Sequence, residues 1–313
     1  MAHARKFRFG TQVGTASSGV EFAALARKIE DLGYSTLFLP DHFGNQLAPL
    51  PAMMAAADAT TDLKVGSLVH DNDYKHPVVL AKEIATVDVL SGGRVEFGIG
   101  AGWMNTDYEQ SGIPKDRDGV RIARMAEALE IYKGLWAEGP YSFSGEHYTI
   151  TNLDGMPKPV QKPGPPILIG GGGPKVLGIA GRFGDIVGVN PAIPKGEVTL
   201  DAGPEMLAAR VDQKIQWLRD GAGSRFDDIE LNELVFFANV RDDRMDLLDR
   251  IAGSLGLAAD DVVDSPYFAF IGTVEQICDN LRAARDRWGF SYFVVQAPAM
   301  ETIAPVVAQL AGT

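Results

Sequence analysis

An aspartate and a histidine stand side by side at Asp41-His42, directly after the apolar run Phe38-Leu39-Pro40. An imidazole takes up and releases a proton near neutral pH, and an adjacent carboxylate can orient it or hold a ligand. The plain alternative is a solvated loop pair after a proline. A place at the C-terminal end of a barrel strand would favour chemistry instead. Two glycine-rich segments accompany the pair. In LSGGRVEFGIGAGW (90–103), Val95, Phe97 and Ile99 alternate with Glu96, Gly98 and Gly100, the period of a strand with two different faces. Gly98, Gly100 and Gly102 lack a Cβ, so a flat ligand has room against the backbone there. GGGGPK (170–175) follows the apolar strand ILIG and precedes a helix-like run. Free N–H groups in such a turn, with a helix N-terminus behind them, suit a phosphate. Pro174 fits the first helical turn, where its missing N–H costs nothing.

Neither glycine segment matches a nucleotide fingerprint. GGGGPK lacks the Gly-Lys-Ser/Thr of a phosphate-binding P-loop. In GIGAGW the third glycine position of the dinucleotide pattern holds Trp103 or Asn105, depending on the frame, which disfavours a nicotinamide site. A metal centre is not expected. The first strand, FRFGTQV, has no paired histidines, and His70, His76 and His147 are singly placed. His70 ends a strand and can line the same pocket as His42. Glu96 shares a strand face with the glycines, so it reads as a buried carboxylate held by an ion pair rather than as a catalyst. A carboxylate-pair hydrolase would draw on Asp41, Glu96 and Asp107, but glycine-rich strand ends argue for a planar or phosphorylated ligand. Lys115, Arg117, Arg121 and Arg124 form either a solvated helix start or a clamp on an anionic tail.

The elements that must carry these residues alternate from end to end. Strand-like runs occur near 7–13, 35–40, 63–69, 94–100, 166–170, 185–190, 231–240 and 291–296. Amphipathic stripes lie between them, such as Ile122, Met125, Leu129, Tyr132 and Trp136, or Ile277, Leu281, Ala284 and Trp288. Alternating strands and helices imply parallel pairing with right-handed crossovers, and eight strands favour a closed (β/α)8 TIM barrel over an open sheet. Residues 141–164 read as a hairpin turning at Gly145, followed by a proline-rich connector. Residues 241–270 read as a charged segment with a helix around Met245–Leu257. Both are expected as insertions at the barrel's C-terminal mouth, within one domain spanning 1–313.

The 313 residues, 46% of them hydrophobic, suffice for a large core, and a net charge of −12 argues against nucleic acid or an anionic membrane as partner. One cysteine, Cys278, leaves no intrachain disulfide and no thiolate cluster. The start, MAHARKFRFG, lacks the apolar core of a signal peptide, and no apolar run spans a membrane, so a cytoplasmic protein is expected.

Across GYSTLFLPDHF (33–43), KHPVVLAKEIATVDVLSGGRVEFGIGAGW (75–103) and PPILIGGGGPKVLGIAGRFGDIVGV (165–189), the chain resembles the luciferase-like flavin and deazaflavin oxidoreductases. Within them it is most similar to the actinobacterial enzymes that use coenzyme F420. The likeness runs through roughly 7–190 in order and returns more weakly at 270–295. It implies a (β/α)8 barrel, often a homodimer, that moves a hydride between F420 and a small organic substrate. Carried over by position, His42 is the proton donor or acceptor and Asp41 sits beside the deazaflavin. Ser67-Leu68 falls where the family often has a bulge and a non-prolyl cis peptide, and His70 follows at a cofactor-contacting position. Gly100, Gly102 and Thr106 line the cofactor, Gly172, Gly173 and Pro174 take its phosphate, and Asn190 is a further contact. Trp103 stands where the sugar-phosphate dehydrogenases of the family carry a catalytic glutamate, and reads here as an apolar wall of the substrate pocket. The alternatives are an FMN-dependent monooxygenase using oxygen and a non-catalytic flavin-binding protein. The two insertions carry no motif that names a substrate.

Overall fold

The structure, a computed structural model, describes residues 5–193, 195–197 and 200–313. Eight strands alternate with eight main helices: β1 (Arg8–Gln12), α1 (Gly19–Asp31), β2 (Thr36–Leu39), α2 (Pro49–Ala59), β3 (Lys64–Ser67), α3 (Pro77–Leu90), β4 (Val95–Gly100), α4 (Asp118–Trp136), β5 (Ile167–Gly171), α5 (Pro174–Phe183), β6 (Ile186–Val189), α6 (Ala208–Ala222), β7 (Glu230–Leu234), α7 (Val274–Trp288), β8 (Phe290–Gln296) and α8 (Met300–Leu310). The strands follow the order β3-β2-β1-β8-β7-β6-β5-β4, and a β3–β4 pairing closes the ring. This is the (β/α)8 barrel that the alternation predicts. Among the described residues no helix is long and apolar enough to cross a membrane.

The chain divides into two compact units that interleave in sequence. One comprises residues 5–13, 28–36 and 170–313, the other 14–27 and 37–169. In the first, β1 and β8 run in parallel register from Arg8↔Tyr292 to Gln12↔Gln296. Phe9 and Phe293, register partners on these strands, are both buried, with rings 6.2 Å apart. Arg8 reaches Glu230 at 2.6 Å and lies 3.5 Å over the Tyr292 ring, so this charge is both paired and stacked. In the second unit, Phe97 on β4 meets Tyr132 and Trp136 of α4 edge-on at 4.9 and 5.5 Å. The α4 stripe therefore packs as its spacing predicts, with Met125, Leu129, Tyr132 and Trp136 buried.

The hairpin is present as Tyr141–Ser144 and Thr149–Leu153. Its turn is held by one carboxylate, Glu127, which accepts the N–H groups of Glu146, His147 and Tyr148 at 2.7–3.1 Å. The run 231–240 is not one strand. β7 ends at Leu234, Phe237 stacks on Phe268 at 5.2 Å, and Asn239–Val240 pairs with Ile271–Gly272 in a separate ladder. Apolar composition continues across this break while the backbone changes partner, which periodicity alone does not reveal. The charged segment forms Arg244–Ser254, three residues short of the expected end, then a turn at Ala259–Val262.

Candidate active site

In the unit of residues 14–27 and 37–169, His42 follows β2 by three residues. Its Nδ1 lies 2.6 Å from Oδ2 of Asp107, whose side chain is only 5% exposed. The other carboxylate oxygen accepts the N–H of Phe43 at 3.1 Å. Trp103 meets the His42 ring edge-on, with centroids 5.7 Å apart and planes at 87°. Asp107 is presented by a short helix, Asn105–Ser111, that starts just after the glycine-rich end of β4. On that helix Asp107 and Tyr108 turn inward, while Thr106 is exposed.

Asp41 points to a second histidine. Its Oδ2 lies 3.4 Å from Nδ1 of His70 and accepts the N–H of Asp71 at 3.2 Å. His70 is buried, packs 6.0 Å from Phe97, and leaves Nε2 without a hydrogen-bond partner. Asp71 is buried as well, and its Oδ2 accepts the Tyr108 hydroxyl at 3.0 Å. Burial, reinforced by the carboxylates of Asp73 and Asp41, pushes the Asp71 carboxyl up to about 6. Burial likewise holds the Tyr74 phenol well above its ordinary range, with the charges of Asp71 and Asp107 next in weight.

The space left by the missing Cβ atoms is taken by the chain itself. A Cβ on Gly98 would sit 1.8 Å from the Ser67 carbonyl oxygen, and one on Gly100 would sit 2.8 Å from Val69 Cγ2. A Cβ on Gly102, whose φ is +75°, would meet the Tyr108 hydroxyl at 2.0 Å and the Asp71 carboxylate at 2.3 Å. A flat ligand lying directly against these Cβ positions is thus replaced by a bulge of the neighbouring chain. The non-prolyl cis peptide bond in that bulge is Leu68–Val69, one bond later than Ser67-Leu68. Ser67 Oγ donates to the Leu39 carbonyl at 3.0 Å.

The basic cluster braces the same strand end. Arg121 is buried and donates to the Ala101 carbonyl at 3.0 Å and to Asp118 at 2.6 Å. Lys115 donates to the Trp103 carbonyl at 2.8 Å, and Arg124 pairs with Asp116 and Asp73. Glu96 is buried and has the half-exposed Lys64 Nζ at 3.3 Å, an ion pair reaching the surface through its lysine.

In the other unit, β5 ends at Gly171 and α5 begins at Pro174, with Gly173 as N-cap. Gly171 is packed against Val176. Gly172 lies under the 190–192 backbone, so that a Cβ would meet Asn190 O at 2.4 Å and Ala192 N at 2.7 Å. Gly173 alone of these three faces open space, with nothing within 4 Å of its Cβ position. Asn190 follows β6 and carries a buried Oδ1 without a partner. Glu205 accepts from Ala192 N–H at 3.3 Å and pairs with the buried Lys214 at 3.1 Å, which fixes the segment above Gly172. Glu233 on β7 is fully buried with neither oxygen bonded, and burial pushes its carboxyl up to about 8.

The sequence reading singled out His42, Asp41, Trp103 and His70 but gave Asp107 no role beside His42, and gave Asp71 and Tyr108 none. The available signal was the polar run Asn105–Tyr108 directly after a glycine-rich strand end, where a short helix can return a side chain to the strand.

Comparison with known proteins gives this geometry a family. The model of the luciferase-like monooxygenase family matches residues 2–213. The F420-dependent glucose-6-phosphate dehydrogenase of Amycolatopsis mediterranei is 31% identical over 174 residues, covering 53% of this chain and 51% of the relative. The FMNH(2)-dependent dimethylsulfone monooxygenase of Pseudomonas putida is 30% identical over 141 residues, covering 45% and 39%. The chain spans less than two thirds of the length of the curated relatives it matches. Among solved structures, the coenzyme F420 dependent tetrahydromethanopterin reductase of Methanopyrus kandleri superposes with a TM-score of 0.77 at 20% identity, covering 98% of this chain and 99% of that one, a likeness of fold. With its family model covering most of the chain, this protein belongs to the luciferase-like monooxygenase family of oxidoreductases.

Proposed function

We propose that this protein transfers a hydride between coenzyme F420 and a small organic substrate, with His42 exchanging the accompanying proton. The observation that carries the reading is the imidazole of His42, held at 2.6 Å by a nearly buried carboxylate and flanked by Trp103, at the end of a barrel strand. The family resemblance implies cofactor contacts at Asp41, Ser67, Leu68, His70, Gly100, Gly102, Thr106 and Asn190, and phosphate contacts at Gly172, Gly173 and Pro174. The residues suit such a group at two points. The α5 N-terminus opens at Gly173, as a phosphate requires, and Asn190 offers an acceptor without a partner.

When bound, a deazaflavin supplies the hydride chemistry. The chain's own share is binding, orientation and proton handling. His42 holds or releases a proton at its ring nitrogen, Trp103 walls off water with an apolar face, and Asp41 fixes the approach of the β3 bulge through Asp71 N–H. A dimer and a cytoplasmic location accord with the same reading.

The FMN-dependent reading is supported by the Pseudomonas putida relative. Titration of the purified protein with F420 and with FMN separates the two: F420 is expected to bind more tightly, and tight FMN binding without F420 binding overturns the proposal. His42→Ala is expected to abolish turnover of reduced F420 with the enones, imines or alcohols that wild type accepts, while cofactor affinity stays within about threefold, the scale of one lost surface hydrogen bond. Unchanged turnover would leave a protein in which His42 does no chemistry.

A further inference from the structure

We infer that Asp107 is the positioning residue that fixes the tautomer of His42, so that Nδ1 carries the hydrogen and Nε2 is the nitrogen that exchanges the proton. The inference rests on the proposed role of His42 for its catalytic meaning, but its structural content stands on the carboxylate alone.

Asp107 already serves as an acceptor through its other oxygen. Oδ1 accepts the Phe43 backbone N–H at 3.1 Å, a donor with no alternative role. A carboxylate whose other oxygen already receives a backbone N–H offers the His42 nitrogen 2.6 Å away an acceptor, not a proton. Nδ1 must then be the donor, and a neutral imidazole with hydrogen on Nδ1 has its lone pair on Nε2. In a free histidine side chain the preference runs the other way, with hydrogen mainly on Nε2, so the structure reverses a default. One hydrogen bond to a charged group is worth a bias of roughly tenfold to a hundredfold, enough to make the reversal nearly complete. The same carboxylate stabilises the imidazolium once Nε2 has taken a proton, as in any oriented acid–base pair.

The Asp107 bond also fixes the ring's orientation: a half-turn of the imidazole keeps its plane, and with it the edge-on Trp103 contact, but takes Nδ1 away from Asp107. The second pair, His70 with Asp41, is longer at 3.4 Å and its imidazole is buried, so it makes an internal comparison.

The test is made on the full chain without added cofactor, which separates it from the proposed function. Histidine labelled with 15N reports each ring nitrogen as protonated or bare. Wild type is expected to show His42 with protonated Nδ1 and bare Nε2. Asp107→Asn places an amide N–H opposite Nδ1 and is expected to invert that pattern, while Asp107→Glu restores it. Acylation of His42 by diethyl pyrocarbonate, which needs a bare nitrogen in reach, should slow by about tenfold or more in Asp107→Asn, following the same hydrogen-bond bias. A merely structural carboxylate would change the melting temperature and leave the tautomer alone. The inference is overturned if wild type carries its proton on Nε2, or if Asp107→Asn folds with the wild-type nitrogen pattern. If Asp107→Asn does not fold, the wild-type spectrum and the Asp107→Glu spectrum decide the matter. Failure of wild type to bind either F420 or FMN would overturn the proposed function and leave this result untouched.

Discussion

The two glycine-rich strand ends use the same residue for different purposes. At the end of β4, the Cβ positions of Gly98, Gly100 and Gly102 are all filled by the chain: by the Ser67 carbonyl, by Val69, and by the Asp71–Tyr108 pair. At the end of β5, Gly171 and Gly172 are filled in the same way, but Gly173 opens on nothing within 4 Å. A run of glycines at a strand end therefore marks close approach of backbone first and a ligand second. Of the six positions, one has the open space that a ligand needs.

The largest effect expected from this comparison is at Gly98. An alanine there puts a methyl 1.8 Å from a backbone oxygen of the β3 bulge, which cannot yield like the end of a flexible side chain. Gly98→Ala should cost roughly 4–5 kcal/mol, the range of severe core substitutions, and much of the stability of an ordinary domain. Urea unfolding measures it. A loss below about 1 kcal/mol, the ordinary level for point mutants, would mean that the bulge can move aside and that the glycine was kept for a ligand after all.

That outcome bears on what the sequence can say. The strand–helix order, the barrel and the pairing of Glu96 were legible because period-2 and period-3.6 patterns record burial directly. Asp41, His42 and Trp103 were legible as a cluster of residues placed just after strand ends, where the structure has them. Asp107 was not, because its meaning lies in a contact 65 residues away along the chain, with His42. The bulge over Gly98 was hidden for the same reason: a missing Cβ shows that something comes close, not what comes. The break at Leu234 escaped because the residues after it stay apolar while the backbone finds a new partner.

The next effect concerns buried acids, one in each unit. Asp71 lies under Gly102, its carboxyl pushed up to about 6, and Glu233 on β7 is pushed up to about 8, burial being the first cause of both. Each folded-state value lies above the unfolded one, so the folded protein holds these protons more tightly. The stability they contribute is complete below about pH 4 and is lost as pH rises, through about 6 for Asp71 and about 8 for Glu233. Shifts of that size correspond to at most about 5 kcal/mol for Glu233 and about 3 kcal/mol for Asp71. Glu233→Gln should flatten the decline in melting temperature between pH 5 and 9, and Asp71→Asn should flatten only its lower part. Identical pH profiles for Glu233→Gln and wild type would show that Glu233 has a partner in solution, and the contrast between the two units would weaken.

The smallest effect on stability, and the one that bears most directly on the ligand, is expected at Gly173. Its φ of −99° and ψ of 158° suit any L-residue, and its Cβ direction is open, so neither strain nor collision opposes an alanine. Only the weaker capping of alanine counts against it, up to about 1 kcal/mol. The methyl would nevertheless stand at the α5 N-terminus, where the proposed cofactor phosphate meets the first free N–H groups. Gly173→Ala should therefore weaken FMN and F420 binding by roughly tenfold, about 1.4 kcal/mol at one site. Riboflavin, which carries the ring without the phosphate, should lose nothing. Equal affinity of the variant and wild type for FMN and F420 would make Gly173 a packing glycine like its neighbours, and both strand ends would then obey a single rule, with the chain and not the ligand accounting for every missing side chain.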